Sequence, residues 1–197
     1  MIPSTLQQVT LAADLRVQNG TNGHSWRRVV GESAIPAARE KIDRVFLQPE
    51  SVAAYPGAIR AILEADMIIA GPGSLFTSIL PNLLVPGIAA AIRASLACKV
   101  YVCNVATQPG ETEDFDVDAH VRALQQHVAD LFSQVLANGH IMASTGAMAH
   151  LKPVELPADD PTEYQLLAAD VVDEIHPWRH DSAKLAAALM MIYSDLY

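Results

Sequence analysis

The sequence predicts an α/β protein built on a mostly parallel sheet, with a β-hairpin near its start. Three observations carry this. The apolar run Met67–Ala70 leads straight into Gly71-Pro72-Gly73-Ser74 and then Thr77 and Ser78, the pattern of a central strand turning into a helix. A second apolar run, Lys99–Val105 (KVYVCNV), follows after a helical segment, so strand, helix and strand recur in short succession. Near the start, two strand-like runs flank the Asn- and Gly-rich stretch Gln18–Ser25. Crossovers between parallel strands are right-handed, and open parallel sheets take their ligands outside the carboxyl ends of the strands.

Composition narrows the function classes. The chain has 197 residues, suited to one domain or most of one, and 51% hydrophobic content, ample for a packed core. Its formal net charge is −9 and no run of Lys or Arg interrupts it. Binding to a nucleic-acid backbone is therefore excluded as the expectation, because phosphate contacts need a basic face. Cys98 and Cys103 form neither a disulfide framework nor a zinc-ligand spacing, and read as two buried thiols in a reducing compartment. No signal-peptide pattern opens the chain and no unbroken apolar run reaches the ~20 residues of a membrane span. The expectation is a soluble cytoplasmic protein without a membrane partner.

The elements follow in order. Val9–Val17 and Trp26–Val30 are the hairpin strands, with a long tip between them. Ser33–Lys41 holds a short helical patch at most, and Ile42–Leu47 alternates like a half-buried strand that Pro49 ends. Pro56 starts a helix whose apolar face is Ile59, Ile62 and Leu63. After the glycine strand, Pro81-Asn82 is expected to interrupt the helix, and Pro86-Gly87 opens the next one. Asp116 is the expected N-cap of a helix striped by Val117, Val121, Leu124, Val128 and Leu131. His120 and His127 are two turns apart, too far to share a metal, and read as surface histidines. Further strands are expected within Phe132–Leu136, Lys152–Leu156 and Asp170–Ile175, with the small, unpatterned stretch Ala143–Ala149 between the first two. Asp181 then caps a last helix with Leu185, Leu189, Ile192 and Leu196 as its buried stripe.

Two loops at strand carboxyl ends are the candidate site. In the first, Gly71, Pro72 and Gly73 clear side chains from the backbone. Free N–H groups at the helix start, with the hydroxyls of Ser74, Thr77 and Ser78, then face an anion. The plain alternative is a tight strand-to-helix turn. The second loop, Ala106–Asp116, offers Thr107, Gln108 and a Pro109-Gly110 turn, then the acidic Glu111, Glu113, Asp114 and Asp116. A hard cation such as Mg²⁺ would accept those carboxylates together with a phosphate, and a solvated acidic loop is the plainer reading. Arg179, just before the last helix, could clamp a phosphate or form a surface ion pair.

Taken together, these segments resemble a known family. They are Pro3-Ser4-Thr5, Gly31-Glu32-Ser33-Ala34-Ile35, GPGSLFTSILPNLLVPGI from Gly71 to Ile88, VYVCNVATQPGET from Val100 to Thr112, and Arg179-His180-Asp181. The chain resembles the gluconeogenesis factor family of bacteria, a sister group of the 2-phospho-L-lactate transferases. The resemblance implies a Rossmann-like three-layer sandwich. Residues 1–197 would be one such domain, its C-terminal portion, without the Gly-rich nucleotide-loop half that normally precedes it. It implies a regulatory protein binding a nucleotide sugar such as UDP-N-acetylglucosamine, tied to gluconeogenic growth and cell shape. The alternative is a Mg²⁺-dependent phospholactate transferase of deazaflavin coenzyme biosynthesis. In that case Glu111 or Asp114 would hold the metal and His180 would move a proton. The implied ligand-binding set is Gly71, Pro72, Gly73, Ser74, Thr77, Ser78, Asn82, Asn104, Thr107, Gln108, Gly110, Glu111 and Arg179, with no catalytic residue and no required cofactor. The family's Arg-Tyr-rich helix has no counterpart in HIMASTGAMAH (His140 to His150), so a ligand tyrosine from it is absent. A half-domain with an uncovered sheet edge would favour association, as a homo-oligomer or with another chain.

Overall fold

The computed structural model describes residues 1–19, 23–140 and 152–196. The tip of the hairpin at 20–22 and the unpatterned stretch Ala143–Ala149 lie outside the described residues. Two sheets organise the rest. The first is antiparallel, with β1 (Thr10–Asn19) between β2 (Gly23–Val30) and β3 (Lys41–Gln48). The expected hairpin is therefore two strands of a three-stranded sheet, which Ile42–Leu47 completes. The second sheet is parallel, in the order β4 (Met67–Ala70), β5 (Cys98–Val102), β6 (Gln134–Asn138), β7 (Gln165–Ala169).

Strand β5 shows why the parallel sheet needs an apolar sequence on both faces. Tyr101 and Cys103 point into a core shared with the antiparallel sheet and the helices α2 (Pro56–Leu63), α4 (Pro86–Ala94) and α5 (Val117–His127). Cys98, Val100 and Val102 point the other way, toward Leu185, Ala188, Leu189 and Ile192 of α6 (Ser182–Leu196). Successive side chains of a strand alternate faces, so with both faces covered Val100, Tyr101, Val102 and Cys103 are all buried and hydrophobic, while the half-buried Lys99 near the strand's start sends its Nζ to the Ser95 carbonyl at 2.6 Å. The result is the expected Rossmann-like α/β layering, with α6 covering one side of the parallel sheet. A four-residue α1 (Ala34–Ala37) is the short helical patch.

Several expectations need correction. Pro81 does not break the helix. A π-helical turn, Leu75–Ile79, continues directly into α3 (Leu80–Leu83), and Pro81 sits just after that turn, whose bonding already departs from the i→i−4 ladder: the Leu80 N–H donates to the Leu75 carbonyl. The last strand is Gln165–Ala169 and not Asp170–Ile175, where only Val172 makes an isolated bridge, to His180. Lys152–Leu156 likewise contributes one bridge, Pro153 to Ala106.

The histidines of α5 are not at the surface. His127 donates from Nδ1 to the Ala123 carbonyl at 2.7 Å and accepts at Nε2 from the Val45 amide of β3 at 2.9 Å. That pair of bonds requires the neutral ring, and burial lowers its pKa. His120 is fully buried, bonded through Nδ1 to the Asp116 carbonyl at 2.8 Å. Its pKa is also lowered, by burial. Periodicity placed both on a helix; it did not show that the antiparallel sheet covers the face they occupy.

Candidate functional site

The site is built where β4 and β5 end. These strands pair in parallel, Ala70 opposite Tyr101, so the loops that leave them are neighbours. Gly71 makes the turn possible. Its φ is +97°, and a Cβ there would lie 2.6 Å from the Val102 carbonyl oxygen of the adjacent strand. Gly110 has the same role on the second loop, with φ +79° and a Cβ position 2.1 Å from the Pro36 carbonyl oxygen of α1.

Side chains then stitch the two loops together. Asn104 faces Gly73 with its whole amide: Oδ1 accepts from the Gly73 N–H at 3.1 Å and Nδ2 donates to the Gly73 carbonyl at 2.9 Å. The same Nδ2 donates to Gln108 Oε1 at 3.2 Å, and Gln108 Nε2 donates to Ser74 Oγ at 2.9 Å. Glu111 places one carboxylate oxygen on the Phe76 N–H at 3.2 Å and the other on the Thr77 hydroxyl at 2.8 Å. The carboxylate thus sits at the start of the π-helical turn, where N–H groups lack backbone partners and a negative charge is favoured. Two of the amides expected to meet a ligand anion, those of Gly73 and Phe76, are therefore engaged by the protein itself.

An open pocket of about 530 Å³ lies beside this junction. One wall is Pro72, Gly73 and Asn104–Pro109; the other is Trp178, Arg179, His180, Ser182 and Leu185. Arg179 reaches it because the segment after β7 folds back. His180 bridges Val172 and donates from Nε2 to the Cys103 carbonyl, at 3.2 Å, at the end of β5. Burial lowers the His180 pKa, keeping the ring neutral. Arg179 is exposed, and among the described residues its guanidinium has no hydrogen bond or ion pair. The lining carries this one arginine and no carboxylate, in a chain of net charge −9.

The thirteen expected site residues separate into three groups. Pro72, Gly73, Asn104, Thr107, Gln108 and Arg179 line the pocket. Ser74, Thr77, Glu111 and Gly110 hold the loops in place through the contacts above. Gly71, Ser78 and Asn82 border a different cavity, of about 330 Å³, beside Ile68, Ile69 and Phe132. Asn82 is engaged there, donating to the Ser78 carbonyl at 2.8 Å and accepting from Ser4 at 2.6 Å. Trp178, Ser182 and Leu185 were missed. The one available signal was their spacing around Arg179.

The acidic loop does not converge on a metal. Glu111 faces the π-helical turn, Asp114 pairs with Lys152 at 3.1 Å, and Asp116 caps α5 by accepting from the Ala119 N–H at 2.7 Å. Among the described residues no three His, Cys, Asp or Glu side chains gather at one point. Cys98 and Cys103 are both buried free thiols, and burial pushes Cys103 up to about 12. Among the described residues no single helix is long and apolar enough to cross a bilayer.

Comparison with known proteins agrees with this architecture. A gluconeogenesis factor of Bacillus subtilis is 42% identical over 177 residues, covering 86% of this chain and 56% of that protein. A putative gluconeogenesis factor of Nostoc sp. is 39% identical over 207 residues, covering the whole chain and 44% of the relative. A crystal structure of a UPF0052 family member from Bacillus halodurans superposes with a TM-score of 0.82 at 35% identity, over 95% of this chain and 60% of that one. The chain thus spans about half the length of the curated relatives it matches. The model of the family described as 2-phospho-L-lactate transferase CofD matches residues 1–195, and the chain belongs to that family.

Proposed function

We propose that the protein is a regulatory ligand-binding protein of the gluconeogenesis factor type. It takes a nucleotide sugar such as UDP-N-acetylglucosamine in the pocket between the two loops and the Arg179 segment. The observation that carries this is the pocket's charge: one unpaired arginine and no carboxylate, in an acidic chain. Around that cation stand the amides of Asn104 and Gln108 and the hydroxyls of Thr107 and Ser182, suited to a phosphate and a polyol together. Relatives that carry the name gluconeogenesis factor support a role in central carbon metabolism, and we extend the proposal to an influence on cell shape and to a cytoplasmic location. The transferase alternative asks for a metal site; three of the acidic loop's four carboxylates, Glu111, Asp114 and Asp116, are engaged by Thr77, Lys152 and the Ala119 N–H, and among the described residues no three ligating side chains gather.

Isothermal titration with UDP-N-acetylglucosamine tests the reading. Saturable binding is expected, weakened about tenfold or more by Arg179→Ala, since a charge-assisted contact contributes about 1.5–3 kcal/mol. Absence of heat above the dilution control would remove the proposal.

A further inference from the structure

Trp178 is held at the pocket wall by contacts that serve no hydrophobic core. It is 38% exposed and belongs to neither buried cluster. The loop that carries it is nonetheless closed on itself. Asp173 accepts from the Ile175 and His176 N–H groups at 2.8 and 2.9 Å, and its own N–H donates to the Arg179 carbonyl at 3.0 Å. The Arg179 N–H returns to the His176 carbonyl at 2.8 Å, and the His176 ring packs nearly perpendicular to the indole, centroids 5.3 Å apart. A half-exposed tryptophan in a fixed position, opposite a wall of amides and hydroxyls, is a preorganised stacking surface.

Building on the nucleotide-sugar reading above, we propose that Trp178 is the pocket's specificity residue, packing against the apolar C–H face of the ligand's hexose. A pyranose presents hydroxyls around its rim and carbon-bound hydrogens on its faces. Asn104, Thr107 and Gln108 supply rim partners on one wall. The indole supplies the one flat apolar surface on the other. Arg179, adjacent in the chain, keeps the diphosphate next to the sugar. A heterocyclic base is the competing flat partner, and it would bring the same contact to UDP alone.

The chain has two tryptophans, so Trp26→Phe leaves Trp178 as its single indole reporter. Trp26 lies on β2, over Arg16 of the antiparallel sheet. In that variant, UDP-N-acetylglucosamine is expected to change the Trp178 emission saturably, and UDP to leave it nearly unchanged. By calorimetry, Trp178→Ala should weaken UDP-N-acetylglucosamine about five- to tenfold and UDP less than about twofold, with Trp178→Phe recovering most of the loss. If the sugar nucleotide binds but the emission and the Trp178→Ala affinity do not change, the assignment of Trp178 is overturned and the pocket stands. An equal response to UDP alone overturns it in favour of the base. If the unaltered protein binds neither compound, the nucleotide-sugar reading fails, and this inference with it.

Discussion

Asn104→Ala should separate the two loops, and its cost follows from the contacts. The amide makes three hydrogen bonds, two to Gly73 at 3.1 and 2.9 Å and one to Gln108 at 3.2 Å. Each partly buried neutral bond contributes about 0.5–1.5 kcal/mol net, and both backbone groups of Gly73 lose the partner that Asn104 gives them. The Gln108 bond is the longest, so we count it least. The expected loss is about 2–3 kcal/mol, or roughly 5–10 °C in Tm for a chain of this size. Asn104→Asp is the sharper variant, because it keeps the shape. It retains the bond from the Gly73 N–H but sets an oxygen against the Gly73 carbonyl and Gln108 Oε1, where a donor stood. It should therefore lose about as much as alanine at neutral pH, and recover part of that on acidification, when the acid proton can serve as the donor. Urea unfolding at pH 7 and 5 measures both. Variants within about 0.5 kcal/mol of the unaltered protein would refute the clamp, and an aspartate as stable as asparagine would show that shape alone matters.

Other variants test separate parts. Gly71→Ala should cost about 2–4 kcal/mol or prevent folding, because the new Cβ meets the Val102 carbonyl in a left-handed backbone; soluble yield and Tm report it. A double-mutant cycle of Glu111→Gln with Thr77→Val should give a coupling of about 1–2 kcal/mol, read by urea unfolding, and additive effects would contradict the bond between them. Burial lowers the pKa of His127, His120 and His180, so the unfolded chain takes up protons first as pH falls. Their contribution is fully present above about pH 6.5 and is lost on descending through the folded values. The carboxyl of Asp14, held low mainly by its hydrogen bond from Arg28, loses its contribution only below its ordinary value of 3.8, so a stability slope between about pH 6.5 and 4.5 belongs to the histidines. His127→Gln should flatten that slope in thermal melts taken across the range.

The fold was readable in the sequence where one physical signal decides. Largely apolar runs gave β4 and β5: β5 is buried on both faces from Val100 onward, while β4 keeps its apolar sequence although Ile69 is 44% exposed. Asp116 and the stripe behind it gave α5, since cap and periodicity agree. The last strand was misplaced because Asp170–Ile175 has β-branched residues, while Gln165–Ala169 gains its place from pairing with β6, a long-range contact no local pattern shows. The neighbouring loops were foreseeable from strand adjacency. Trp178 was not: its value comes from a fold-back that joins His180 to Cys103, 77 positions away.

The same comparison shows what a glycine-rich strand-to-helix junction does and does not announce. Such a junction creates N–H groups that favour a negative partner, and sequence logic assigns that partner to a ligand. Here the protein provides one itself. Glu111, 34 residues beyond Thr77, brings its carboxylate to the turn and accepts there from an N–H and a hydroxyl. Its carboxylate is therefore engaged inside the junction, and Glu111 is not among the pocket's lining residues. The glycines let the second loop dock closely enough for that contact and for the Asn104 clamp. On the proposed reading anion recognition passes to the other wall, where the guanidinium of Arg179 has no hydrogen bond or ion pair among the described residues. On that reading an anion would be met chiefly by one side chain on a separate loop, and not by the helix start. It follows that Arg179→Ala should abolish most of the affinity while Glu111→Gln, for all its effect on stability, changes affinity little.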